Sequence, residues 1–325
     1  MKCLFAFLLL LASLVPAQSI AEEIGVEART IETLHPWRTR SQFGALEFKG
    51  GLVLQAPRPF GAFSGMRIDE DRLLAVSDTG FLLSARLARQ DGRLARLFEA
   101  RLVPILFEAG RPYRYKWDSD AEALEWVPGR GAIVAFERNN RILLYPGDPF
   151  RSKVAGRVVA GAVPQRMRQN RGLEALALAP RTSPLAGRLL AFTEGVRDEN
   201  GDPVGFVIDM DGRQPSAGFA VADRKDGFAV TDATFAKDGT LFLLERRYSL
   251  GRGPGMRIRR VEASDVRVGA RLDGDTLIEV GLPHAIDNME GLSVVERNGR
   301  TRLLVISDDN YSALQRTLLL EFELR

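Results

Sequence analysis

The sequence predicts an all-β fold, a β-propeller of four-stranded blades, on three observations. From Phe43 onward the chain runs in short apolar segments broken by Gly, Asp, Asn and Pro, and no stretch carries a long helical period with caps at both ends. One pattern, two adjacent strands that carry carboxylates at one shared end, recurs five times. Two further strand-like segments separate successive units, which makes four strands per repeat.

Taken in order, residues 1–21 read as a secretory signal. Lys2 supplies the positive end and Leu4 to Val15 the apolar run, too short to span a bilayer as a mature helix. Ser19-Ile20-Ala21 is a small-x-small cleavage site, with Val15-Pro16-Ala17 as the alternative. Cys3 is the only cysteine of the chain and falls in this segment, so an exported form has no disulfide, which suits a bacterial periplasm. Residues 22–42 are expected to form an N-terminal arm, and residues 43–325 the propeller domain. No other apolar run is long enough for a transmembrane helix.

The first unit is Phe63 to Ile68 followed by Arg72 to Asp78, and the second is Ala121 to Trp126 followed by Ala132 to Arg138. The third is Leu173 to Leu178 with Leu189 to Glu194, the fourth Thr231 to Phe235 with Leu241 to Arg247. The fifth, Glu290 to Asp309, contains Asn298-Gly299, a strong two-residue hairpin signal, before the apolar run Leu303 to Ile306. With Gly65, Ala123, Ala175, Ala233 and Gly291 as equivalent positions, the steps are 58, 52, 58 and 58 residues. The last unit shows only one further strand, Thr317 to Glu323, so the segment Phe43 to Leu54 is expected to close the ring and protect its sheet edges. Five blades are visible, and a degenerate sixth stays open.

Formal net charge is +3, with the basic residues mostly Arg and spread along the chain. That spread argues against nucleic acid, which selects a clustered stripe. The charges that matter are the acids at the strand ends. Glu122, Glu174, Asp232 and Glu290 stand just before the small residue of the first strand, and Asp78, Glu137, Glu194, Glu245 and Asp308 end the second. In an antiparallel hairpin the start of one strand lies beside the end of the next. Both series therefore fall at one mouth of the channel. Carboxylates this close repel unless they pair with Arg or share a cation. Arg67, Arg138, Arg171, Arg246 and Arg247 lie beside them.

With two His and no Cys outside the leader, a thiolate or multi-histidine zinc site is excluded, and oxygen donors suit a hard divalent cation, Ca²⁺ first, then Mg²⁺ or Mn²⁺. Glu122, Asp232, Asp308 and Asp309 are the candidate ligands. Glu174, Glu290 and Glu245 are the candidate catalytic carboxylates, and Arg67, Arg138, Arg171 and Arg246 the candidate anion clamps for a small ester or phosphoester. No G-x-S-x-G elbow, H-E-x-x-H or P-loop is present.

Five stretches resemble the phytase-like family of exported bacterial proteins, described as having esterase-like activity of phytase. They are Phe60 to Arg67, Leu74 to Gly80, Asn170 to Leu176, Asp232 to Phe235 with Leu244 to Ser249, and Glu290 to Leu292 with Ser307 to Tyr311. The resemblance implies a β-propeller and hydrolysis of phosphate or carboxylic esters. The sequence leaves two alternatives. One is a non-catalytic periplasmic propeller that binds a ligand or partner. The other is a sugar-lactone hydrolase using Asn139, Asn288 and Asn310. A closed ring has no free sheet edge, so a monomer is the expected state.

Overall fold

The computed structural model describes residues 21–107, 110–113, 115–138, 140–151, 153–160, 172–210, 217–249, 251 and 253–325. Residues 1–20, Asn139 and Arg171 lie outside the described residues.

Five antiparallel sheets are arranged as a five-bladed propeller. Blade one is Phe63–Asp69, Arg72–Ser77, Phe81–Gln90 and Arg93–Pro104, with Glu22–Glu23 on its outer edge. Blade two is Ala121–Val127, Gly131–Phe136, Arg141–Pro146 and Arg157–Ala160. Blade three is Leu173–Leu178, Arg188–Arg197, Pro203–Asp209 and Ala217–Val221, extended in parallel by Arg271–Leu272. Blade four is Ala229–Phe235, Leu241–Ser249, Gly253–Val261 and Asp275–Gly281. Blade five is Asn288–Arg297, Arg300–Asp308 and Thr317–Leu324, completed by Leu46–Gln55 from the other end of the chain. The expected closure by the N-terminal segment is present, and Glu27–Ile31 adds one more strand outside it.

Asn298 and Gly299 take φ of 52° and 70° between the paired Arg297 and Arg300, the left-handed pair that a two-residue hairpin requires. The apolar runs have a second cause. Side chains alternate along a strand, and each blade is covered on both faces by its neighbours. Leu303 and Val305 pack into the cluster shared with blade four, while Leu304 and Ile306 pack into the cluster shared with blade one. The five apolar clusters sit one at each blade interface, so the molecule has a divided core rather than a central one.

The first strand of every blade lies innermost, and these five strands contact one another around the axis. Their small residues permit that approach. A Cβ on Gly65 would lie 2.9 Å from the backbone nitrogen of Leu124, and one on Gly291 would lie 3.0 Å from that of Met66.

Candidate active site

The bulge built into each inner hairpin decides which side chains reach the mouth. In every blade the register between first and second strands shifts by one residue, at Ser64, Glu122, Glu174, Thr231 and Glu290. A bulge adds an unpaired residue and re-aims its side chain. In the three blades where that residue is Glu, its side chain lines a cavity of about 950 Å³ at one mouth of the channel. Ser64 also lines it, and its hydroxyl donates to the Ala121 carbonyl of the next blade at 2.6 Å. Thr231 makes the corresponding bond to the Met289 carbonyl at 3.0 Å.

This register corrects the alignment of the fourth unit by one residue. The bulged position there is Thr231, so Asp232 falls where the other blades carry Gly or Ala. A one-residue slip turns a side chain to the other face. Asp232 is fully buried away from the cavity, against Arg67 at 2.9 Å. The same offset removes Glu245 from the ring of strand ends. Asp78, Glu137, Glu194 and Asp308 line the cavity, but in blade four the equivalent position is Arg246. Glu245 lies buried between Arg257 and Arg259, accepting from Arg257 Nε at 2.5 Å and from both Nε and Nη2 of Arg259.

Two other candidates are placed in structural roles. Arg67 does not line the cavity. Its guanidinium lies buried at the axis and donates to Asp232, to Glu125, and to the carbonyls of Leu176, Ala233 and Leu292. Asp309 accepts from the Ala62 N–H at 3.0 Å, the Tyr311 N–H at 3.1 Å and the Thr317 hydroxyl at 3.0 Å, and so ties blade five to the entry of blade one. Glu122, Glu174, Glu290, Asp308, Arg138 and Arg246 are brought together in the cavity.

Blade two contributes the densest acid cluster. One oxygen each of Asp120, Glu122 and Glu137 lies within 4.8 Å of the others, an all-oxygen donor set that can hold a metal ion. Asp120 was not among the sequence candidates. Its signal was the D-x-E spacing with Glu122, which puts a second carboxylate just before the strand. Asn288 is its counterpart in blade five and donates to Asp308 at 3.3 Å. Asn288 and Asn310 both line the cavity, and Asn310 donates its N–H to Asp308 at 2.6 Å.

Burial and mutual repulsion leave Glu122, Glu174, Glu290 and Asp308 reluctant to ionise. Glu122 and Glu174 are pushed well above the usual carboxylate range, first by burial, then by Glu174 and Asp120 for the one and by Glu194 and Glu137 for the other. Burial raises Glu290 to about 8, with Arg246 opposing and Asp308 adding to the rise. Asp308 is raised to about 7, again mainly by burial, against the Asn310 N–H. The cavity cations take up part of the charge. Lys116 pairs with Asp78 at 2.7 Å, Arg138 with Asp120 at 2.6 Å, Arg246 with Glu290 at 3.1 Å and Arg316 with Asp287 at 3.5 Å. Among the described residues nine carboxylates line the cavity against five cations, so the pairing is incomplete. A hard divalent cation fits the donors that remain.

A family model described as phytase-like, with esterase-like activity of phytase, matches residues 58–311. No curated protein matches the chain by sequence. Among solved structures, a thermostable family-43 glycoside hydrolase aligns over 81% of this chain and 91% of its own, at 9% identity and a TM-score of 0.48. Glutaminyl cyclase of Myxococcus xanthus aligns over 82% and 92%, at 10% identity and a TM-score of 0.42. The tail fiber of Staphylococcus aureus phage P68 aligns over 86% of this chain, at 10% identity and a TM-score of 0.40, and the chain spans about half, 53%, of that fiber's length.

Proposed function

The chain belongs to the phytase-like family, and from that premise we propose that it is an exported, divalent-cation-dependent hydrolase of phosphate or carboxylic esters. The observation that carries this reading is the carboxylate triad Asp120, Glu122 and Glu137, set in a cavity whose acids outnumber its cations. Those three residues would hold the cation. Ca²⁺ is the first choice for an all-oxygen set, and when bound it would supply Lewis-acid polarisation of the ester or phosphoryl oxygen.

The other residues act on the substrate and its protons. Glu290 and Glu174 stand on the inner strands of blades five and three, with pKa values raised into or toward the working range of a general acid or base. One of them takes the proton of an attacking water at a carboxylate oxygen, and the other delivers a proton to the leaving oxygen. Arg138 and Arg246, each paired through Nε and still about one-third exposed, orient the anionic end.

Thermal unfolding in excess chelator, followed by restored Ca²⁺, tests the cation. A ligand at a hundredfold over its dissociation constant adds about 2.7 kcal/mol, a rise of several degrees. That rise should vanish in an E122Q/E137Q variant. Turnover of an aryl phosphate or aryl ester by the Ca²⁺-loaded protein, lost in E174Q/E290Q, tests the chemistry. One observation favours a second reading. Lys116, Arg138, Arg246 and Arg316 already pair with mouth acids, as in a non-catalytic ligand-binding propeller. Absence of both the Ca²⁺ shift and turnover would leave that reading in place.

A further inference from the structure

Among the described residues Arg247 differs from the other cations of the cavity. Lys116, Arg138, Arg246 and Arg316 each have a carboxylate partner, whereas the Arg247 guanidinium has no ion pair or hydrogen bond. It is held from beneath instead, with its centre 4.5 Å from the Phe228 ring centroid. Its cross-strand partner is Gly255, and a Cβ there would meet both the Arg247 Nη2 and the Phe228 ring at 3.4 Å. Gly255 thus leaves room for the stacked guanidinium, which is positioned but not neutralised.

A second observation falls at the same place. Tyr248, Leu282 and Leu314 are large apolar side chains exposed by 69, 62 and 93%, and all three line this cavity. Tyr248 pairs across the hairpin with Pro254, and Leu282 overhangs Gly253, so both belong to the blade-four side. Leu314 follows the second strand of blade five. In a ring of five, blades four and five lie across the axis from blade two, which carries the acid triad. The mouth therefore has acids on four blades, densest on blade two, and on the blade-four side an apolar rim with one cation that has no carboxylate partner. A densely charged polyanion meets the acid excess with a single unengaged guanidinium. An ester with one anionic group on an apolar body matches the Arg247 guanidinium and the apolar rim beside it.

We propose that the blade-four side of the mouth is a substrate subsite. Arg247 binds one anionic group there and Tyr248, Leu282 and Leu314 cover an adjoining apolar body, so that amphiphilic monoesters are selected over polyanions. The reaction class rests on the ester-hydrolase reading above, but the subsite is tested by binding alone. Phenyl phosphate and inorganic phosphate are titrated calorimetrically into the Ca²⁺-loaded protein and into R247Q, R247K and L282S/L314S, with melting curves confirming that each variant is folded.

R247Q should weaken phenyl phosphate about 10- to 100-fold, the loss expected for a hydrogen bond to a charged group, and R247K should recover part of it. L282S/L314S should weaken phenyl phosphate more than inorganic phosphate. With 4-nitrophenyl esters, R247Q should lower kcat/KM for the phosphate at least tenfold more than for the acetate. Arg247-dependent binding without turnover keeps the subsite and removes the hydrolase reading. Turnover with phenyl phosphate affinity unchanged in R247Q keeps the hydrolase and removes the subsite. Failure of the unaltered protein to bind phenyl phosphate also overturns the subsite.

Discussion

Arg67 shows how one residue can hold a ring together. It stands on the inner strand of blade one and reaches Glu125 of blade two, Leu176 of blade three, Asp232 and Ala233 of blade four and Leu292 of blade five. Burial works against its charge, but Asp232 and Glu125 more than offset that and raise its pKa. Removing one partner of a buried pair strands the other, at a cost of about 3–5 kcal/mol. R67M should therefore lose about that much in denaturant unfolding, and the double variant R67M/D232N should lose less than the two single changes summed. Strict additivity would show that the pair does not act as a unit. The mouth acids give a pH prediction. Glu290 and Asp308 rise from ordinary carboxylate values to about 8 and about 7, so the folded cation-free protein binds protons that the unfolded chain has released. Its stability should fall as pH rises from about 4 to 8 and then level off. Burial likewise raises Glu122 and Glu137 of the triad, and a cation there must displace their protons, so its stabilising effect should grow from pH 6 to pH 8. Melting curves at both pH values, with chelator and with Ca²⁺, check the sign.

The hairpin was legible in the sequence because its causes are local. Short apolar runs, Asn298-Gly299 and terminal acids mark two strands and a turn without reference to the rest of the molecule. The bulge is not local. It depends on how each inner hairpin meets its neighbours at the axis, and no residue type announces it, since Ser, Thr and Glu all occupy it. Four units survive that ignorance because their acid precedes the small residue in the bulge itself or, as with Asp78, ends the second strand in step with it. Blade four does not, and Asp232 and Glu245, which look like ring members, turn away from the mouth. Arg246 takes the ring position, a substitution that only the register reveals. The closing strand can be tested as an element. Leu52 is fully buried opposite Leu319. L52D places an unpaired carboxylate in the core shared by blades five and one, and should abolish cooperative unfolding or lower its midpoint by more than any mouth variant.

At the scale of the molecule, the propeller converts five similar hairpins into one asymmetric mouth. Blades one, two, three and five supply acids from equivalent positions, and blade four supplies Arg246, Arg247 and Tyr248. Repetition makes the scaffold, and departure from it at blade four makes the mouth asymmetric. The core, divided among five interfaces, makes each blade depend on its neighbours on both sides. Blade five is the one assembled from both ends of the chain, through the pairing of Leu46–Gln55 with Thr317–Leu324. That pairing sets an order in time. During synthesis, Leu46–Gln55 must wait for Thr317–Leu324 to emerge. Until they do, Glu290 and Asp308 cannot be fixed opposite the triad of blade two. A chain that stops before Thr317 thus carries every acid that lines the mouth, yet its early closing strand has no partner and its last blade is unfinished.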